Sequence, residues 1–301
     1  GEDEISKHFR NAAESDHASI YIAEEDGATA GVLILQEYDK LSVTPTVFVE
    51  RDRRRRGIGT KLLRFLDHVL DDRPYERAER QIKADEGVAA FLEKSGYFRY
   101  FTEILMECGN TLIDPEKTTD AALAERGIVI RNYRDEDYWA YHNIVGVGFY
   151  LMRQEVGLMP WYNPPSEYER RDIAKGYKNR YVMLDKGDIV AVSKIYDNDI
   201  ALLGVRPDKQ SHGYGTLMLS YWINKIIIER QANKVTIDTT DGNPAKRLYN
   251  KMGFRDIGRK YGYIKFNKPD SRPKAPKDYV SKETIMEAFR LHGMLEEEMT
   301  L

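Results

Sequence analysis

The sequence is poor in the residues that mark several familiar chemistries. Its 301 residues hold one cysteine, Cys108, which excludes an internal disulfide framework and makes an intracellular, cytoplasmic setting the expectation. Cys108 itself, in the strand-like stretch ILMEC, reads as a core or surface thiol. Six histidines show no paired metal-ligand spacing, so no metal is expected. No apolar run is long enough to cross a bilayer and no signal peptide is visible, so no membrane partner is expected. Nor is there a basic excess. Forty-six Lys and Arg face 49 Asp and Glu, a net charge of −3 and a pI near 6.2, which argues against a nucleic-acid partner.

Within that balance, residues 51 to 70, RDRRRRGIGTKLLRFLDHVL, stand out. A run of arginines is ordinarily a solvated or nucleic-acid-facing surface. Here it follows an extended apolar segment, Val47-Phe48-Val49, and runs through Gly57-Ile58-Gly59 into a segment where Leu62, Leu63, Leu66, Val69 and Leu70 recur at helical spacing. Strand, glycine turn and helix start make an anion site, because glycines admit a tight turn and several N–H groups converge where the helix dipole favours negative charge. Arginine adds charge-assisted contacts to phosphate.

One glycine turn is weak evidence, but this one is repeated. Gln210-Ser211-His212-Gly213-Tyr214-Gly215-Thr216 restates Arg54-Arg55-Arg56-Gly57-Ile58-Gly59-Thr60, and Met252-Gly253-Phe254 restates Ser95-Gly96-Tyr97. The first glycine pair lies 156 residues apart and the second 157, so the chain is a duplication. Two domains follow: 1–108, a linker at 109–126 (GNTLIDPEKTTDAALAER), 127–267, and a tail at 268–301. In the first copy the patterns predict a helix over 3–16, strands over 18–24, 30–38, 42–49, 77–84 and 97–107, and a helix over 86–95. The second copy repeats this plan after an additional helical region. In the tail, Ser281 suits the cap of a last helix with Ile285, Met286, Phe289 and Leu295 on one face.

The order of elements, the Gln/Arg-x-x-Gly-x-Gly turns and the segment NPAKRLYNKMGF resemble the GCN5-related N-acetyltransferases, the GNAT superfamily, as a tandem pair. The resemblance covers nearly the whole chain outside the linker and tail. It is strong in the second copy; in the first, RRRRGIGTKLL matches well, DEGVAAFLEKSGY in part, and the opening elements look shortened. It implies an α/β fold of two GNAT-like domains, each a mixed, mostly antiparallel sheet flanked by helices, and a protein that is a monomer (an intramolecular pseudo-dimer) or a homodimer. It also implies acetyl-CoA as donor, with CoA as product, its diphosphate held at the glycine turn and its pantetheine between two splaying strands.

Direct attack of an amine on a thioester calls for a base, an oxyanion donor, an acid for the departing thiolate, and positioning. By resemblance, Tyr249, four residues before Gly253, is the acid, or else an aromatic packing its helix on the sheet. Asn243 is a CoA contact, a helix cap, or both. Asp199, eleven residues before Gln210, is a base or a solvated strand end. Leu203 is the oxyanion donor if the family's strand bulge is present, and Val205 shares its strand beside the CoA arm. The same positions in the first copy hold Val43 and Leu92, which move no proton. For the acceptor, Tyr150, Glu155, Trp161 and Tyr162 are either the surround of a cationic amine or ordinary core and loop residues. The implied activity is acetylation of a small amine-bearing molecule; the alternatives are a non-catalytic CoA-binding regulatory or scaffold protein, or a protein or peptide N-acetyltransferase.

Overall fold

A computed structural model describes residues 9–10, 12–15, 17–39, 41–160, 162–163 and 165–272. Ser281, Ile285, Met286, Phe289 and Leu295 of the expected last helix, and Trp161, lie outside these residues. Two compact units form. The first combines the chain up to Thr102 with Arg259–Ser271, and the second is built on Glu103–Gly258. These units cut across the division expected from the repeat, because the last strand of each copy is shared out to the other unit.

The first unit carries β1 (Ala18–Glu25), β2 (Ala28–Asp39), β3 (Ser42–Val49), β4 (Arg77–Lys83) and the distal part of β11 (Arg255–Phe266), side by side in the order β1-β2-β3-β4-β11. All neighbours are antiparallel except β3 and β4. The β1–β2 hairpin turns at Asp26 and Gly27, with φ of +55° and +72°, the left-handed pair that matches strand twist. Helix α1 (Ile58–Asp71) buries Ile58, Leu62, Leu63, Leu66 and Leu70 against the sheet and stops ahead of Pro74. Helix α2 (Glu86–Lys94), capped by Asp85, whose Oδ1 accepts the Val88 N–H at 2.9 Å, adds Ala89 and Leu92 to the same core. The expected elements of this copy are present within a few residues, and of the helix over 3–16, residues 9, 10, 12 and 13 are helical.

The second unit has the order β5-β10-β9-β8-β7-β6, formed by the distal part of β5 (Phe98–Gly109), β10 (Lys234–Thr240), β9 (Asp199–Val205), β8 (Asp188–Tyr196), β7 (Arg180–Asp185) and β6 (Ile128–Asn132). Again one pair, β9 with β10, is parallel. On one face α6 (Tyr214–Arg230) is buried along most of its length, with Trp222 donating from Nε1 to Ser193 Oγ at 2.9 Å. On the other lie α4 (Tyr138–Glu155) and α5 (Glu167–Lys175), packed through Tyr138, Tyr141, Ile144 and Ile173 on Val182 and Val192. Cys108 is buried in the helix-side core, and burial raises its thiol to about 11.

The duplication runs deeper than the motifs. The β7–β8 hairpin turns at Lys186 and Gly187 with φ of +50° and +92°, as β1–β2 does. In each hairpin one residue of the second strand, Ala30 or Val190, is skipped in the register. Its carbonyl accepts an N–H from the residue just after the next strand, Glu50 at 3.0 Å and Arg206 at 2.9 Å. A bulge thus fixes where the third strand turns out of the sheet.

Residues 109–126, expected as a linker, are folded into the second unit. They form a 3-10 turn at Pro115–Lys117 and helix α3 (Asp120–Glu125). Asn224 of α6 accepts the Ile113 N–H at 2.8 Å and donates to the Ile113 carbonyl and to Thr118 Oγ1, both at 2.7 Å. Leu123 is 1% exposed in the main core. One short helix with a single apolar anchor has too little periodicity to be read, yet its anchor is buried. Leu123→Ala is therefore expected to destabilise the protein by about 2–5 kcal/mol, read as a lower denaturant midpoint at unchanged slope; a change within about 0.5 kcal/mol, as for a surface site, would return the segment to linker status.

Candidate active site

The site begins where parallel strands part. β9 and β10 are paired only at Asp199 with Thr236 and Ile200 with Ile237; beyond these, Ala201–Val205 and Asp238–Thr240 diverge while each stays paired on its outer side. β9 also carries an extra residue, since Ile195 faces Ile200 and Lys194 faces Leu202, leaving Ala201 without a partner. Leu203, whose expected role called for a bulge on this strand, lies two residues further on. Side chains of Leu203 and Val205 pack toward the helix-side core.

At the end of β9 the chain passes through a 3-10 turn, Pro207–Lys209, into Gln210–Gly213 and α6. Ser211 has φ of +63° and Gly213 of +88°, a backbone that turns successive N–H groups into one concavity at a helix start. Gln210 Nε2 donates back to the Val205 carbonyl at 3.4 Å, and His212 Nδ1 lies 2.7 Å from the Gln210 carbonyl. These two side chains brace the turn. Tyr214, Gly215 and Thr216 form the first helical turn. A Cβ on Gly215 would sit 3.5 Å from Val205, while one on Gly213 would meet nothing within 4 Å, so the open side of the turn is at Gly213.

Tyr249 lies on α7 (Ala245–Lys251), which follows β10. The side chain is 5% exposed, packs beside Phe254 with ring centroids 6.1 Å apart, and among the described residues its hydroxyl has no hydrogen-bond partner. Burial first, and then the charge of Asp238, raise its pKa to about 12. It is therefore both a packing residue and a protonated hydroxyl without an internal acceptor. Asn243 Oδ1 accepts the Ala245 N–H at 2.9 Å, as a cap would. Asp199, at the closed end of the parting, accepts from Thr236 Oγ1 at 2.6 Å. Asp238, one residue past the last β9–β10 pair, was not singled out in the sequence; its coupling to Tyr249 arises from a strand–helix pairing that local spacing does not reveal.

Three of the acceptor candidates, Tyr150, Glu155 and Tyr162, lie among the described residues. Tyr150 and Tyr162 are buried together with Val147, and Glu155 is exposed at the end of α4. Tyr162 lies on α4 because Gly146 leaves room; a Cβ there would come within 2.6 Å of the ring. Its hydroxyl is 3.2 Å from His142 Nε2, and His142 Nδ1 is 2.7 Å from Glu169 Oε2, which also accepts from Tyr138 at 2.8 Å. Burial, followed by the Glu169 charge, holds the phenols of Tyr138 and Tyr162 well above their usual range. This chain ties α5 and the preceding segment to α4. The end of α4 borders the site, since a Cβ on Gly242, beside Asn243, would lie 3.4 Å from Val156.

The first unit repeats the parting and the turn with different side chains and a differently placed bulge. β3 and β4 pair at Ser42 with Arg77 and Val43 with Ala78, then part. Arg55 and Gly57 have φ of +65° and +83°, and Arg54 Nε donates to the Val49 carbonyl at 3.0 Å, the counterpart of Gln210 on Val205. Arg54 is thus a brace, Arg56 lies 3.7 Å from Glu25, and Ile58, Gly59 and Thr60 open α1. The irregularity beside this parting falls on β2, where Glu37 faces Val43 and Asp39 faces Ser42, and β3 has no bulge. Val43 and Leu92 are buried core residues.

Two units, each with a left-handed turn and a helix start at the end of a parted parallel pair, define a class of mixed α/β proteins, and comparison with known proteins gives the family. A model described as an acetyltransferase (GNAT) domain matches residues 16–98 and 177–256, more than half of the chain. The chain belongs to the GNAT acetyltransferase family, as a tandem member. No curated protein matches it. Among solved structures it is similar to a GCN5-related N-acetyltransferase from Sphaerobacter thermophilus, at TM-score 0.63 and 18% identity over 91% of this chain and 89% of that one. It is also similar to a tandem GNAT protein from the clavulanic acid biosynthesis pathway, at 0.56 and 16% over 85% of each. A third is the glucosamine N-acetyltransferase region of a fungal multi-domain beta-N-acetylglucosaminidase, at 0.60 and 14% over 85% of this chain and 34% of that one. At these identities the likeness is one of fold. Among the described residues no helix is long and apolar enough to cross a membrane.

The two glycines of the second turn differ in what they tolerate. Gly213→Ala places a Cβ at a left-handed φ and is expected to cost about 1–2 kcal/mol, whereas Gly215→Ala, with ordinary contacts, should leave the melting temperature nearly unchanged. Equal losses in the two thermal melts would contradict this geometry.

Proposed function

We propose that the second unit is an acetyl-CoA-dependent N-acetyltransferase that acetylates the primary amine of a small molecule by direct attack. The observation that carries this reading is Tyr249, a buried tyrosine whose protonated hydroxyl has no acceptor among the described residues, on the helix beside a parted sheet that ends in a phosphate-cradle turn. The residues fit CoA. Backbone N–H groups of Gln210–Thr216 suit a diphosphate, the unpaired inner edges of β9 and β10 suit the amides of a pantetheine arm, and Asn243 stands at the helix start beside them. When bound, acetyl-CoA supplies an acyl thioester.

The protein's own groups then have separate tasks. Asp199, or Asp238 further along β10, takes the proton that the acceptor ammonium loses, directly or through water. The N–H of Leu203, beyond the bulge, donates to the carbonyl oxygen as negative charge builds on it. Tyr249 gives its proton to the departing sulfur. The packing of Tyr162 onto Gly146 and the His142–Glu169 link fold the segment between α4 and α5 down onto α4, which supports a small acceptor over a polypeptide lying in an open groove.

A thiol-release assay with acetyl-CoA across polyamines, aminoglycosides, amino acids and peptides tests the reading. Release with a small amine is the expected result. Release with peptides alone would make the protein a peptide N-acetyltransferase, and CoA binding without release would make it a regulatory or scaffold protein. Tyr249→Phe should lower kcat roughly a hundredfold and leave KM for acetyl-CoA little changed, because a proton donor is lost with almost no binding surface. Since the Tyr249 pKa lies near 12, its proton stays in place below that value. Wild-type kcat should therefore show no basic limb from this group up to about pH 10; a limb near pH 8 that vanishes in the Phe variant would show that Tyr249 titrates far lower.

A further inference from the structure

The parting in the first unit is bridged by a side chain. Arg80 stands on β4 two residues beyond Ala78, the last residue paired with β3. One of its terminal nitrogens donates to Thr46 Oγ1 on β3 at 2.7 Å. Ala78 and Ile82, which flank Arg80 at the strand's period of two, belong to the helix-side core, as do Val43, Val47 and Val49 on β3. Arg80 therefore leaves β4 on the helix side and Thr46 leaves β3 on the other. To meet, the guanidinium must pass between the two strands where their backbones have separated.

The neighbours reinforce the closure. Glu79 beside it is held by Arg77 Nε at 2.6 Å and by the Tyr100 hydroxyl at 3.0 Å, so this carboxylate is committed to internal partners. Pro45 occupies the parted stretch of β3 and brings no N–H to it. In the second unit, two residues beyond the last paired position of β10 stands Thr239. It is 6% exposed, and its Oγ1 has no hydrogen-bond partner among the described residues. A buried hydroxyl left unsatisfied in a native fold calls for an explanation. A short residue with an open hydrogen bond in one parting and an arginine bridging the other are opposite solutions for the same slot.

We infer that Arg80 is a built-in plug that takes the place of the pantetheine arm in the first unit, so that the chain carries one CoA site, in the second unit, despite two phosphate-cradle turns. The inference rests on the CoA reading of the second unit. It assigns the asymmetry to a single bridging side chain.

Calorimetric titration of the full chain with CoA tests it. The wild type should bind one equivalent. Arg80→Ala, and Arg80→Gln as a variant that keeps the stem and loses the charge, should each bind two, with cooperative melting confirming that both are folded. The added site should weaken with salt more steeply than the first, because its turn carries Arg54, Arg55 and Arg56 where the other carries Gln210, Ser211 and His212. Two equivalents on the wild type would overturn the plug, as would one equivalent on both folded variants or an added site without the steeper salt dependence. No binding to any of the three proteins would instead remove the CoA reading itself.

Discussion

The constraint on which the structure depends is a parallel strand pair that holds for two residues and then lets go. In both units the third strand is bonded at its end to a bulge in the hairpin before it, Glu50 to Ala30 and Arg206 to Val190, and is then turned sharply by a left-handed residue followed two positions later by a left-handed glycine. With its outer edge paired and its exit fixed, the strand cannot follow the twist of its parallel neighbour. Two rows of backbone groups are left facing a gap, and buried backbone groups must find partners. A ligand arm, a side chain or water can supply them.

The exchange of final strands gives the duplication a further consequence. Neither unit is complete within one copy of the repeat: β4 finds its antiparallel partner in residues 260–266, and β10 finds its partner in residues 103–109. Edge strands in need of a partner are an aggregation hazard, so a single copy would expose a strand that its own sequence does not cover. The long sequence separation of these pairings also raises the contact order of the fold. Each unit's order at the parting depends on a strand donated from elsewhere in the chain.

Much of the frame was legible because its signals are local. Gly57 and Gly213 sit where a left-handed φ is needed, Leu62, Leu63, Leu66 and Leu70 carry a helical period, and Asp26-Gly27 marks a hairpin. What escaped is non-local. The segment 109–126 looks like a linker because its anchors, Asn224 and Trp222's neighbours in the core, lie about a hundred residues away. Strand exchange cannot be seen by matching two copies, since the copies match equally well whichever sheet the last strand joins. Asp238, and the Glu169–His142–Tyr162 chain, depend on which strand and helix meet. Even the counting argument shifts slightly: eleven residues before Arg54 stands Val43, yet the residue that opens the parallel pairing of β3 is Ser42, as Asp199 opens that of β9.

The carboxylates at the two partings show how one backbone serves two ends. Glu79 and Asp238 each stand one residue beyond the last parallel pair of their strand. Glu79 is committed to Arg77 and Tyr100, beside the Arg80–Thr46 bridge. Asp238 acts on Tyr249, whose pKa it raises in addition to burial, so its charge helps to keep the proton on that hydroxyl. The same strand position thus carries a carboxylate bonded to neighbouring side chains in the first unit and, in the second, one whose charge raises the pKa of a tyrosine on the following helix.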